Sequence, residues 1–284
     1  GGEDNDPPIY GQVFLSVRTQ SGVDLTQAQK NSIAVDLKKY NVASIRPTFV
    51  NPEVTKLKLK VNFKFDSKTT TKSVGDLETL IRTTITNYNS NDLQNFDVVF
   101  RHSKLSGLID STDTSILSNT TRITLNKIVT PVLNTITQYV INFNNPLYNP
   151  HADHNKVMGG ITSSTGFTIS TNTNTLYLDD DGSGNIRTYY LVGGTTRTYV
   201  DSTAGTIDYT TGKIVLTDLT ITGTTSTDGK ISIDILPASN DIVSVRNQLL
   251  EIDLANTSVD GTVDVIVSGG SSAGTGYTTT QNTY

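Results

Sequence analysis

Three stretches of the chain place chemically capable side chains at a spacing that a site would need. His151-Ala-Asp-His154 brings two imidazoles and the carboxylate of Asp153 within four residues. A catalytic zinc takes about three protein ligands plus water, and a structural zinc about four. The third histidine, His102, is far off in sequence. The cluster is therefore read as a polar loop that caps or contacts a neighbour, with no metal ligand assigned. Asp179-Asp-Asp-Gly-Ser-Gly-Asn185 starts like a calcium loop, but Tyr190 stands where such a loop needs a bidentate glutamate. Alternating segments flank it, which makes it the turn of a β-hairpin. Lys56, Lys58, Lys60 and Lys64 share one face of an alternating segment and could hold a polyanion. Asp66 and the modest local charge favour a solvated sheet face instead.

The remaining motifs are weaker. Gly269–Gly276 has no strand-to-helix context and is no phosphate cradle. Asn119-Thr-Thr and Asn256-Thr-Ser fit the glycosylation acceptor pattern, which is idle without a secretion signal. No Ser/His/Asp set carries the local signature of a hydrolase. No catalytic, cofactor-binding or metal-binding residue is assigned, and no cofactor is implied.

The element that must organise the fold is Val54 to Asp66. Leu57, Leu59, Val61, Phe63 and Phe65 alternate with lysines and asparagine, the period of a strand with one face buried and one in water. A strand is expected before it over Tyr10 to Arg18. Gly22 breaks that strand, and Thr26 with Gln29 forms a capping box for a helix carrying Ile33, Leu37 and Tyr40. Val42 to Val50, interrupted by Pro47, reads as an edge strand. Beyond Asp66, Ser73 is an N-cap for a helix with the stripe Val74, Leu77, Ile81, Ile85 and Tyr88. Leu93 to Phe100, a short helix with Leu105, Leu108 and Ile109, and a strand over Thr121 to Val129 follow.

This order predicts an α+β fold: a split β-α-β (β-α-β-β-α-β) sheet-and-helix domain over 1–143, with an appended or inserted all-β domain. That β-rich part, 144–236, has strands expected at Gly166–Ser170, Thr175–Asp179, Arg187–Val192, Thr196–Val200, Thr206–Tyr209, Lys213–Leu216 and Lys230–Leu236. Residues 237–284 are read as returning strands, over Asp241–Leu254 and Thr262–Val267, and a Gly/Ser/Thr-rich tail.

Charge supports the division. Net charge is −5 over 284 residues, but 1–143 carry 16 Lys/Arg against 13 Asp/Glu and the rest 6 against 14. That balance does not suit a nucleic-acid binder. Only 17% of residues are charged, against about 25% in ordinary domains, with Thr, Ser and Asn filling the gap. There is no cysteine, so neither disulfides nor thiolate metal sites form. No apolar run approaches the ~20 residues that span a bilayer, so no membrane partner is expected. The chain opens on Gly rather than Met and reads as part of a longer one.

Five stretches carry a resemblance: Gly1-Gly-Glu-Asp-Asn-Asp-Pro-Pro-Ile-Tyr-Gly-Gln-Val-Phe14, Ile45-Arg-Pro47, Phe100-Arg-His-Ser-Lys-Leu-Ser-Gly-Leu-Ile109, Asn145-Pro-Leu-Tyr-Asn-Pro-His151 and Asn240-Asp-Ile-Val-Ser-Val-Arg-Asn247. Over 1–130 the linear pattern resembles the baseplate J-like proteins of contractile phage tails. More narrowly, the chain is similar to the C-terminal part of the baseplate wedge subunits of T-even-type phages, in a cyanophage-like version. None of these residues carries catalytic chemistry. The resemblance implies a structural, non-enzymatic subunit of the virion tail baseplate, assembled in the host cytoplasm. It further implies a homodimer that contacts other wedge proteins and the tail hub and sheath-initiating proteins. The competing reading is a receptor- or carbohydrate-binding β-domain of a tail protein. The lack of Trp weighs against it, because sugars stack on aromatic faces.

Overall fold

The computed structural model describes residues 9–19, 25–40, 46–154, 159–245 and 248–268, and strands outnumber helices throughout. The chain opens with β1 (Gln12–Ser16), α1 (Gln27–Lys38) and β2 (Arg46–Val50). The two strands run parallel, from Gln12↔Arg46 to Ser16↔Val50. Thr26 and Gln29 make the expected capping box. The apolar spacing of this helix does not bring burial. No residue of α1 is buried, Ile33 is 36% exposed and Val13 of β1 is 38% exposed. A helix on two strands encloses too little volume to shield a side chain, so periodicity alone marks a face without supplying its cover. The expected extended entry at Gly1–Pro8, the break at Gly22 and the start of the second strand before Arg46 lie outside the described residues. So does the tail beyond Ser268, with Gly269–Gly276.

β3 (Glu53–Phe65) follows the turn at Asn51-Pro52. Its odd positions Leu57, Leu59, Val61, Phe63 and Phe65 are buried, and Lys60 on the other face is exposed. α2 (Val74–Asp92), capped by Ser73 with Asp76, lays Leu77, Ile81, Ile85 and Tyr88 on that greasy face. The stretch Leu93 to Phe100 contributes only the short β4 (Val99–Phe100), because Gln94 and Asp97 take positive φ and break any longer extended run. In α3 (His102–Asp110), Leu105 and Ile109 are fully buried, whereas Leu108 faces out. β5 (Ile116–Val129) starts earlier than expected and runs antiparallel to β3 from Lys56↔Asn126 to Lys64↔Ser118.

The middle of the chain is all β: β6 (Ile136–Asn142), β7 (Thr162–Ser164), β8 (Phe167–Ile169), β9 (Asn172–Asp180), β10 (Asn185–Val192), β11 (Thr196–Asp208) and β12 (Lys213–Thr224). Strands pair in the order β11-β10-β9-β8-β12-β6, and β11 also pairs with β12. That last pairing closes β8 to β12 into a five-stranded barrel, which removes most free edges. Phe167, Leu176, Leu178, Ile186, Ile207, Ile214, Leu216 and Ile221 are buried within it. Two strands expected over 196–200 and 206–209 are one. A Cβ on Gly205 would lie 2.3 Å from the Val215 carbonyl oxygen, so this glycine lets two backbones approach rather than ending the strand.

β13 (Ile231–Ile235) then returns beside β5, and β7 joins its other edge. β14 (Ile242–Val243) pairs with β4. β15 (Gln248–Ile252) and β16 (Ser258–Val263), separated by a 3-10 turn at Leu254–Asn256, both run parallel to β3. The order strand, helix, strand, strand, helix, strand exists along the chain but divides between two sheets. β1 and β2 pair only with each other, and the edge of β3 away from β5 is filled by β15 and β16. The fold is mostly β, with three helices among the described residues. None of those helices is long and apolar enough to cross a membrane.

Candidate interaction surfaces

The histidine loop is held by its own neighbours. His154 Nδ1 lies 3.0 Å from His151 Nε2, and His154 meets the Tyr148 ring edge-on at 5.8 Å. Asp153, at positive φ, accepts from the Ser183 hydroxyl, and its backbone N–H donates to the Gly182 carbonyl at 3.2 Å. The loop thus packs on the 181–185 turn. His102 lies elsewhere, donating Nε2–H to the Thr121 carbonyl at 2.9 Å. Among the described residues no three His, Cys, Asp or Glu side chains converge on a point that would hold a metal.

Within Asp179 to Asn185, residues 181–184 make the β9–β10 hairpin turn while Asp179 and Asp180 end β9, and the carboxylates of the stretch are engaged from within. Asp179, fully buried, accepts from Arg187 Nε at 2.8 Å, Arg197 Nη1 at 2.8 Å and the Tyr199 hydroxyl at 2.9 Å. Burial pushes its carboxyl upward, opposed by the bonds from Arg187 and Tyr199 and the charge of Arg197. Asp180, also fully buried, accepts from the Tyr209 hydroxyl at 2.7 Å and the Thr162 N–H at 2.8 Å. Burial and the Asp180 carboxylate raise the Tyr209 phenol far above its ordinary range. Asp181 is raised by burial but lowered more by bonds from Asn185 and Ser183, for a net downward shift. A calcium ion would have to break these bonds to reach its ligands. Reading the sequence missed the clamp because its members come from three strands: Asp179 from β9, Arg187 from β10, and Arg197 with Tyr199 from β11. It also missed Gly160, where a Cβ would stand 1.8 Å from Asp180 Oδ1.

The lysine face is wired into the sheet. Lys58 Nζ donates to both Asp234 oxygens, at 2.7 and 2.9 Å, while Lys127, on the opposite face with Leu125 and Ile123, reaches Glu53 at 3.1 Å. Asn126 Nδ2, buried, donates to Asp234 at 2.6 Å. Lys60 stands directly opposite Arg122 in register.

A groove lies beside this face. β13 covers only Leu125–Val129 on the outer edge of β5, so no described strand lies along 118–124. The chain leaves the sheet at Leu236-Pro237, opening a groove of about 630 Å³ lined by 119–124, 236–238, His102, Tyr148 and Asn240. At one end, Asp241 caps α3: Oδ1 accepts from the His102 N–H at 2.9 Å, and Oδ2 from Arg101 at 2.9 Å. These bonds hold the Asp241 carboxyl below its ordinary range. The sequence could not show this cap, because it arrives from 140 residues away.

The paired ionisable groups and extended polar faces of the described residues are features of a surface, and comparison with known families gives them a context. Residues 1–50 match the family described as baseplate structural protein gp6, C-terminal domain I, and residues 54–128 match gp6 C-terminal domain III. The gap between the two, 51–53, takes in Asn51-Pro52 and the first residue of β3, so it follows the β1–α1–β2 unit. A baseplate wedge protein, gp6 of Enterobacteria phage T4, is 28% identical over 113 residues. That match takes in 40% of this chain and 17% of the relative, so the chain spans a minor part of the length of that protein. The similarity is to the C-terminal region of a baseplate wedge subunit.

Proposed function

We propose that this chain is a structural, non-enzymatic part of a contractile-tail baseplate wedge, residing in the virion tail and assembled in the host cytoplasm. The match of 1–50 to gp6 C-terminal domain I and of 54–128 to gp6 C-terminal domain III carries the reading. Its partners are a second copy of itself, other wedge proteins, and the hub and sheath-initiating proteins that the wedges surround. The β1–α1–β2 unit supports a role in contacts. It leaves Tyr10, Val35 and Tyr40 more than half exposed and buries none of its described side chains, as expected of a layer completed by another chain. Light scattering of the isolated chain should give a dimer, and a strict monomer at high concentration would count against self-association.

One feature favours the carbohydrate-binding alternative. Tyr177, Tyr189 and Tyr199 form a ladder with ring centroids 5.7 and 6.0 Å apart. However, Arg187 stacks on Tyr199 at 4.2 Å and Arg197 on Tyr189 at 4.6 Å, so two of these rings are engaged by the protein's own guanidinium groups. A glycan array without a hit would remove this alternative.

A further inference from the structure

We propose that Lys58 and Asn126 join in an intramolecular isopeptide bond, with Asp234 as the acid and base of the reaction. Three adjacent strands bring the groups together. Asn126 of β5 lies opposite Asp234 of β13, and Lys58 of β3 sits one pair further along on the same face, a diagonal neighbour of Asn126. To reach β13 from β3 the Lys58 side chain must cross β5, and Asp234 draws it toward the Asn126 row. Lys58 Nζ donates to Asp234 Oδ1 at 2.7 Å and to Oδ2 at 2.9 Å, while Asn126 Nδ2 donates to the same Oδ1 at 2.6 Å. Two donors on one oxygen stand within about 5 Å of each other, so a small swing of the flexible lysine stem brings the amine to the amide.

The surroundings hold the amide still. Asn126 is 1% exposed, and its Nδ2 is shared with the Ser232 hydroxyl at 2.6 Å and the Ile233 carbonyl at 3.2 Å. Burial keeps bulk water from competing with the amine for the carbonyl carbon. The reaction balances without a co-reactant. The Lys58 ammonium passes one proton to Asp234, and the neutral Nζ attacks Asn126 Cγ, pushing the carbonyl electron pair onto Oδ1. Asp234 delivers its proton to Nδ2, which it already touches, and takes a second proton from Nζ. The Cγ–Nδ2 bond breaks as the carbonyl re-forms, and ammonia leaves as ammonium with that last proton. Each chain reacts once, so the step matures the fold and is not turnover. The product ties β3 to β5 around α2 and α3, a covalent loop that a chain without cysteine cannot close by a disulfide. It stands independently of the assembly role.

The test is the intact mass of the purified full chain, followed by peptide mapping. The mass should fall about 17 Da below that of the sequence, the loss of one ammonia. Trypsin should release a branched product in which Leu57-Lys-Leu-Lys60, uncut after Lys58, carries Ile123-Thr-Leu-Asn-Lys127. Lys58→Arg keeps the charge but supplies no nucleophile, and Asp234→Asn keeps the shape but moves no proton. Both should fold, with a cooperative melting transition, and show the full mass. The wild-type mass decides alone if either variant fails to fold. The proposal is overturned by a wild-type chain that keeps its full mass after several days at neutral pH, or by an Asp234→Asn chain that cross-links as completely as the wild type. It is equally overturned by a loss of about 17 Da confined to linear 123–127, which is a succinimide, or by a loss of about 18 Da that joins Lys58 to Asp234.

Discussion

Truncating Asp179 to alanine should unfold the barrel while the sheet around β3 stays folded. The substitution strips one carboxylate from two guanidiniums and a phenol, and Arg187 is itself only 7% exposed. Breaking a buried ion pair from one side costs about 3–5 kcal/mol, because the remaining charge stays desolvated. Arg197 is about a third exposed and can turn to water, which places the cost nearer the lower figure. For a unit of this size each kcal/mol moves the melting temperature by about 4–8 °C, so a fall of about 12–30 °C is expected. Two optical probes separate the halves. All three helices precede Ser111, so ellipticity at 222 nm reports on the first part of the chain. Tyr139, Tyr177, Tyr189, Tyr190, Tyr199 and Tyr209 lie in or beside the barrel, against the buried Tyr88 in the other half, so near-ultraviolet ellipticity, with no Trp to mask it, reports mainly on the barrel. In Asp179→Ala the tyrosine transition should move down alone. Asp179→Asn, which keeps an acceptor oxygen, should move it less. A loss under about 1 kcal/mol would refute the buried-charge argument, and joint loss of both signals would refute separate units.

Other perturbations address the rest of the molecule. Val129 and Ile231 are register partners, so replacing 130–230 with Asn-Gly should close β5 and β13 into a two-residue hairpin. It also removes buried Phe143 and Leu147, at about 1.5–3 kcal/mol each; a cooperative 222 nm transition at lower temperature is expected, and none would show one shared core. Phe63→Ala, in the packed interior of β3, should cost about 3–5 kcal/mol in chemical denaturation, and a loss under 1 would mean that the site is not enclosed. Asp113 is held at about 2 by the Lys72 ammonium and bonds from Ser115. Its ordinary value is 3.8, so its contribution is full above about pH 4 and is lost as pH falls toward 2; Asp113→Asn should flatten that part of a stability-versus-pH curve. Zinc or calcium should leave the melting temperature unchanged, and a rise abolished by His151→Ala would reverse the reading of that loop.

Local rules were enough wherever one element sets its own environment. The alternation of Leu57 to Phe65, the Thr26 and Ser73 caps, the stripe on α2 and the turn at Asp179 to Asn185 can all be read from spacing, because each depends on residues within about four positions. Pairing across the chain was not legible. β13 lies within the stretch read as the β-rich part, yet it completes the sheet of β5, and β15 and β16 fill the edge of β3. The same periodicity that is buried in α2 is left open in α1, since burial belongs to the opposing layer and not to the helix. The interaction surfaces follow the same logic. The lysines were visible as a face, but the Arg122 that opposes Lys60, the Asp234 that answers Lys58 and the stretch of β5 along which no described strand lies exist only once β3, β5 and β13 lie side by side. Register between strands is fixed by which faces are buried, and only the assembled tertiary structure decides that.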